Sequence, residues 1–169
     1  VSADRMGTPG TVMNCLCRKE ALIRHGVHAH VMSALEMPRV AETYNRDLAL
    51  EYMERGHVVL FAAGLGNHFF TTDSAVALRA AEIGADAVLL AKNIDGVYSA
   101  DPRKDDSAVL IRDLSYDEAL QRQLNVMDQS ALLLCRDQGV PFIRVFGLDD
   151  PQNILKVLAG DSMGSVVHP

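Results

Sequence analysis

Basic runs are missing from this chain. Its 16 Lys and Arg are outnumbered by 22 Asp and Glu, a formal net charge of -6, and nowhere do they cluster densely enough to neutralise a phosphate backbone. A nucleic-acid partner is therefore not expected. No apolar run approaches the roughly 20 residues that cross a bilayer, and the opening VSADRMG has neither the basic nor the apolar stretch of a secretory leader. These absences predict a soluble, cytoplasmic protein with no membrane partner. Cysteine is scarce: Cys15, Cys17 and Cys135 are an odd set, and a C-x-C spacing inside a helical pattern suits neither a zinc knuckle nor a redox C-x-x-C. Buried or partly buried structural thiols are expected. The six His are scattered with no H-E-x-x-H, so no protein-ligated metal site is predicted. Walker-type G-x-x-x-x-G-K-[ST], kinase G-x-G-x-x-G and H-R-D motifs are absent as well.

What is present is a 49% hydrophobic composition over 169 residues, enough for one domain, residues 1–169, around a single core. Val12, Leu16, Leu22 and Ile23 recur near helical spacing before Gly26, which predicts a first helix. The apolar stretch VHAHVMSAL follows, then a helix over VAETYNRDLALEYMERG that stops at Gly56. HVVLFAAG, residues 57–64, reads as a strand covered on both faces. Thr72, Asp73 and Ser74 offer caps for the helix DSAVALRAAEIG, and ADAVLLAKN supplies another buried strand. The helix VMDQSALLLCRDQG, the strand PFIRVFGL and a last helix from about Pro151 complete the pattern. Strands alternating with helices predict α/β architecture with a mainly parallel sheet. No strand precedes the first helix, so the sheet would open on a crossover without its partner; the expectation is a sequence cut rather than naturally begun.

Ligands of open parallel sheets bind beyond the carboxyl ends of the strands. Two loops meet that description. In GLGNHFFTTD, residues 64–73, Gly64 and Gly66 let the backbone approach a ligand, Asn67 and Thr72 can hydrogen-bond a base or ribose, and the next helix offers N–H groups to an anion. The same residues also suit a tight turn with ordinary capping. Of the adjacent Phe69 and Phe70, one is expected in the core. In AKNIDGVYSADP, residues 91–102, Asn93, Tyr98, Asp95 and Asp101 suit an adenine or ribose, although Asp95-Gly96 and Asp101-Pro102 are equally ordinary turn chemistry. Two such sites would suit phosphoryl transfer, which depends on positioning and charge neutralisation.

These loops also carry a resemblance. FFTTD at 69–73, ALRAAEIGAD at 77–86, DGVYSADPRKD at 95–105, LNVMD at 124–128 and the closing MGSVV are similar, in order and spacing, to bacterial UMP kinases of the amino acid kinase superfamily. The resemblance covers essentially the whole chain. It implies a three-layer αβα sandwich, the amino acid kinase (carbamate kinase-like) fold, and ATP-dependent phosphorylation of UMP to UDP in pyrimidine nucleotide biosynthesis. Asp4 in ADRMG matches the aspartate that holds the UMP ribose, while a helix N-cap is its plainer role. Gly64, Leu65, Gly66, Asn67, His68, Phe69, Phe70, Thr71 and Thr72 match the UMP loop, and Asn93, Tyr98 and Asp101 the ATP side. Asp73 matches the carboxylate that orients lysine chemistry at the phosphates; Asp128 matches a motif position where catalysis and helix capping both remain open. Mg²⁺ bound through ATP, a homohexamer, activation by GTP and inhibition by UTP are implied in the same way.

The chain departs from the family pattern in places. Leu65 replaces a common Thr and His68 a common Pro, so a hydrogen bond to uracil and some loop rigidity are expected to be lost. GTPG at 7–10 replaces G-M-L-A and puts Pro9 where it is tolerated only in a helix's first turn. The AKN form at 91–93 resembles Gram-positive members, with the stretch before Asp95 one residue shorter. A K-L-S-G-E strand and a G-G-G-N loop, the family's cationic and phosphate-cradling parts, do not occur in these 169 residues. The expectation is an N-terminally truncated chain with weak or no activity by itself. Two alternatives remain: a related superfamily kinase acting on an amino acid or carbamate, which would not share ADRMG together with GNHFFTTD, and a non-catalytic nucleotide-binding module.

Overall fold

The computed structural model describes residues 2–169, with side chains described from residue 7 onward. Two compact units divide the chain, Val1–Ala75 and Val76–Pro169. Each builds its own sheet and core.

The first unit holds α1 (Ser2–Arg24), β1 (Ala29–Ser33), β2 (Glu42–Thr43), α2 (Arg46–Glu54) and β3 (Val58–Ala62). Its sheet runs β2-β1-β3 with both pairings parallel, Ala29 to Ser33 of β1 standing opposite Val58 to Ala62 of β3. β1 is central, and Ala29, Val31, Met32 and Ser33 are buried. Val12 of α1 is buried against Val31, Ala62 and Ala63, with Cys15 and Leu16 beside it, which accounts for the helical spacing of those apolar residues. The expected cover on both faces of 57–64 does not hold. Val58 is exposed and Val59 to Phe61 are only partly buried, and among the described residues β3 is an edge strand paired with β1.

Three other expectations need correction here. The helix expected over residues 40–56 starts late: Glu42 and Thr43 extend the sheet instead, and the Asn45 side chain accepts from Leu48 N–H to begin α2. Pro9 lies inside α1 rather than in its first turn, so one main-chain hydrogen bond of that helix is missing. Cys17 is exposed, because the i+2 step from Cys15 turns it away from the core.

Across this sheet runs a chain of polar side chains. The Tyr52 hydroxyl donates to Glu42 Oε2 at 2.9 Å, Glu42 Oε1 lies 3.2 Å from His30 Nδ1, and His30 Nε2 lies 3.1 Å from His57 Nδ1. The His30 ring stacks on Tyr52, and the His28 and His57 rings lie 4.8 Å apart. Desolvation first, then the neighbouring His28, His30 and Arg55, hold the His57 pKa below its ordinary value of 6.5.

The helix α3 (Thr72–Ile83) spans the boundary between the units. The second unit continues with β4 (Val88–Lys92), β5 (Val97–Tyr98), β6 (Leu110–Ile111), β7 (Asp113–Ser115), α4 (Tyr116–Gln121), α5 (Gln129–Asp137), β8 (Ile143–Gly147), α6 (Asn153–Leu158) and β9 (Ser165–His168). Its main sheet runs β4-β8-β9-β7; β4–β8 and β7–β9 are parallel, while β8–β9 is antiparallel. β5 and β6 form a separate antiparallel pair. Ala77, Leu90, Tyr116, Leu132, Cys135, Ile143 and Val145 share one core. The Tyr116 hydroxyl satisfies itself there by donating to Val140 O at 3.0 Å, and burial pushes the Cys135 thiol up to about 11, leaving it protonated near neutrality.

Two measurements test this packing. A Cβ on Gly164, whose φ is +77°, would stand 2.0 Å from Val145 O on the neighbouring strand. Gly164→Ala is therefore expected to cost roughly 2–4 kcal/mol, read as a lower urea midpoint. For His57, the unfolded state takes up more protons than the folded one; its contribution is full above the ordinary pKa and is lost as pH falls through and below that value. His168 has the opposite sign, because its hydrogen bond to Asp113 raises its pKa. The drop in midpoint between pH 7.5 and pH 5.5 is expected to be smaller in His57→Gln than in the parent chain; an equal drop would exclude the His57 contribution.

Candidate functional site

Each unit carries a cleft at the carboxyl end of a parallel strand. In the first unit a cleft of about 690 Å³ is lined by Gly7, Thr8, Pro9 and Thr11 of α1, by Leu35, and by the whole run from Ala63 to Thr72. That volume falls within the usual range of small-molecule sites, about 300–1,000 Å³. The cleft is shaped by a left-handed exit from β3: Ala63, Gly64, Gly66 and Phe69 have φ of 66°, 58°, 73° and 70°. Ala63 and Phe69 are unusual in this region because they carry a Cβ. The Ala63 N–H donates to Thr11 Oγ1 at 2.8 Å, tying α1 to the end of β3. Gly66 passes close to β1, where an added Cβ would lie 3.1 Å from Ala34 O.

The sequence-predicted residues Gly64, Leu65, Gly66, Asn67, His68, Phe69, Phe70, Thr71 and Thr72 are thus brought together along one cleft. Phe69 and Phe70 differ from expectation. Neither is in the core; they are 92% and 59% exposed, held outward by the left-handed turn at Phe69. The cap of α3 also shifts by one residue, since Thr71 Oγ1 accepts from Ser74 N–H at 3.1 Å. Asp73 follows in the first turn of that helix. The Asp4 side chain lies outside the described residues. Gly7, Thr8, Pro9, Thr11 and Leu35 were not singled out as site residues by the sequence reading; only the unusual GTPG stretch hinted at the first three.

The second unit's cleft, about 600 Å³, is lined by Ala91 to Ile94, Gly96, Tyr98 to Arg103, and Arg122 to Asn125. Asn93, Tyr98 and Asp101 all face it. The Tyr98 hydroxyl donates to Asp95 Oδ1 at 2.8 Å, and this bond chiefly raises the Tyr98 pKa, keeping the phenol protonated. Asp101 Oδ1 accepts from Arg103 N–H at 3.1 Å, so it orders its own turn as well as lining the cleft. Gly96 is needed for space: its φ is ordinary, but a Cβ would stand 2.6 Å from Leu110 Cδ1 and 2.7 Å from Ser165 Oγ. Asp128 is not among the lining residues. Its carboxylate accepts from Ala131 N–H at 2.8 Å and from the Ser130 hydroxyl at 2.7 Å, the geometry of an N-cap for α5. The segment 122–125 was missed because its contribution follows from where α4 ends, not from a motif.

A family model described as the amino acid kinase family matches residues 1–146. The chain belongs to the amino acid kinase family. Among solved structures it is similar to the UMP kinase from Bacillus anthracis, with 36% identity and a TM-score of 0.93, covering 99% of this chain and 69% of that one. The UMP kinase from Ureaplasma parvum matches at 34% identity and a TM-score of 0.91, covering 99% and 71%. The expected family and α/β fold therefore hold. Among the described residues no helix is long and apolar enough to cross a membrane, and no three His, Cys, Asp or Glu gather to hold a metal ion.

The β3 exit is open to a direct check. In Gly66→Ala the added methyl meets both an unfavourable φ and the Ala34 carbonyl. Amide hydrogen exchange across residues 64–70 is expected to accelerate by tenfold or more, while exchange in β8 stays unchanged; protection equal to the parent's would show that the glycine is dispensable.

Proposed function

We propose that this chain is a UMP kinase, transferring the γ-phosphoryl group of ATP to UMP to give UDP and ADP. The observation that carries the reading is the unit-1 cleft, in which the entire run 64–72 lines one cavity, in a chain similar over 99% of its length to two UMP kinases. UMP is assigned to that cleft. Gly64 and Gly66 let the main chain close on the nucleotide, while Asn67, Thr71 and Thr72 supply side-chain hydrogen bonds to base and ribose. Leu65 and His68 shape the loop, Phe69 and Phe70 offer aromatic faces to a base, and Asp4 is the ribose partner on α1.

ATP is assigned to the unit-2 cleft, with Asn93, Tyr98 and Asp101 at its adenosine portion. Among the described residues Asp101 is the one carboxylate lining that cleft, and it is engaged in its own turn. Such a donor set suits Mg²⁺ carried on the ATP phosphates rather than in a protein cage; the ion would neutralise charge on the transferring group. Asp73 is proposed to orient cationic groups at the phosphates, and Asp128, from its geometry, to support the site through α5. A role in cytoplasmic pyrimidine nucleotide synthesis, a homohexameric assembly, and response to GTP and UTP extend the same reading.

The test pairs binding with turnover. UMP is expected to bind at least about tenfold tighter than CMP, the worth of roughly one discriminating hydrogen bond, and whatever ADP release from Mg-ATP these 169 residues support, expected to be weak, is expected to require UMP. Equal affinity for UMP and CMP would overturn the assignment.

A further inference from the structure

Three cations line the unit-2 cleft: Lys92, Arg103 and Arg122. Their circumstances differ. Arg122 is exposed and paired with Glu118 at 2.6 Å, and Arg103 is exposed to solvent that screens it. Lys92 is half-buried at the last position of β4. Gly147 stands opposite it on β8, and its carbonyl accepts from Leu148 N–H at 2.8 Å, which anchors its backbone. Its ammonium donates to the carbonyl of Val126. No ion pair among the described residues uses it, although the unit is rich in carboxylates that pair elsewhere, Asp101 with Lys104 and Asp117 with Arg136 among them.

A half-buried ammonium at a cleft wall with no ion-pair partner is placed to meet an anionic ligand. One of its three donors is used by Val126 O, and the residue lines the cleft, so two donors remain for a ligand there. Among the described residues the cleft offers only Asp101 as an anion, already engaged with Arg103 N–H and Lys104. The missing partner is therefore an anionic ligand, and a lysine at the carboxyl end of a parallel strand is suited to phosphate as a point charge.

We infer that Lys92 is a phosphate-binding residue of the unit-2 cleft, taking the phosphate chain of the nucleotide whose adenosine portion meets Asn93, Tyr98 and Asp101. The inference rests on the assignment of a nucleotide to this cleft. Its bond to Val126 O gives Lys92 a second consequence: the ammonium is held by the segment leading into Asp128 and α5, so its position is set by two elements of the unit.

Calorimetric titration of the 169-residue chain with ADP and with adenosine, in the absence of Mg²⁺, separates the phosphate contribution from the rest of the nucleoside. The parent chain is expected to favour ADP. Lys92→Gln keeps a donor for the Val126 carbonyl and removes the charge; its ADP affinity is expected to fall about 10- to 100-fold while adenosine affinity stays the same. Lys92→Met serves as a second variant, and thermal melts of both establish that the fold is retained. An ADP preference that survives intact in the folded variants would overturn the role of Lys92 and leave the cleft assignment standing. Failure of the parent chain to bind either ligand would overturn the cleft assignment and this inference with it.

Discussion

Parallel pairing is the constraint on which both clefts depend. β1 with β3, and β4 with β8, run in the same direction, so their carboxyl ends open on one edge of each sheet and the chain must leave that edge through a loop before it can return. The loop after β3 leads into α3, and the loop after β4 leads into the short β5–β6 pair. Polar and flexible residues are tolerated there because the edge is where backbone groups are free of the ladder. The chemistry-bearing residues of this chain lie where the topology leaves room for them.

Each loop is then fixed by a small number of close contacts. At the end of β3 a Thr11 hydroxyl on α1 holds the Ala63 amide, and Gly66 slides past the Ala34 carbonyl with no room for a side chain. After β4, Gly96 fits between Leu110 and Ser165, and the Ser165 hydroxyl in turn accepts from Val97 N–H at 2.8 Å. Left-handed backbone at Ala63 and Phe69 carries strain that the surroundings must hold in place, and its effect is to direct Phe69 and Phe70 out of the core and toward the cleft rim. Glycines placed for space and residues strained by context together set the cleft walls.

Charge is distributed with a similar economy. Most carboxylates of the second unit are committed locally: Asp95 to Tyr98, Asp101 to its turn, Asp105 to Ser107, Asp128 to the start of α5. These bonds order the loops around the cleft and leave few anions facing it. Lys92 gains its significance from that background, since a cation held by a carbonyl rather than by a counter-charge is informative only where the neighbouring carboxylates are paired. The histidine chain of the first unit is a contrasting arrangement, in which Glu42, His30 and His57 are linked by hydrogen bonds across the sheet, and desolvation with the neighbouring cations holds the His57 pKa below its ordinary value.

Periodicity and punctuation in the sequence determined the elements. The strand runs at 88–92, buried at Val88 and Leu90 but exposed at Leu89 and Ala91, and at 143–147, helical spacing from Val12 to Ile23, and stops at Gly26 and Gly56 follow from hydrophobic pattern and local backbone preference, which act over a few residues. Motif order determined the family, and the two glycine- and Asp-containing loops, picked out by local composition, line the two clefts. What the sequence could not fix depended on partners distant along the chain. Glu42 and Thr43 became strand because β1 offered them a ladder; Phe69 and Phe70 turned outward because of a backbone conformation set by packing; β9 joined its sheet antiparallel to β8 and parallel to β7. The inclusion of Thr11, Leu35, Lys92 and residues 122–125 in the clefts was likewise decided only in three dimensions, because a cleft wall is assembled from segments whose proximity no local pattern encodes.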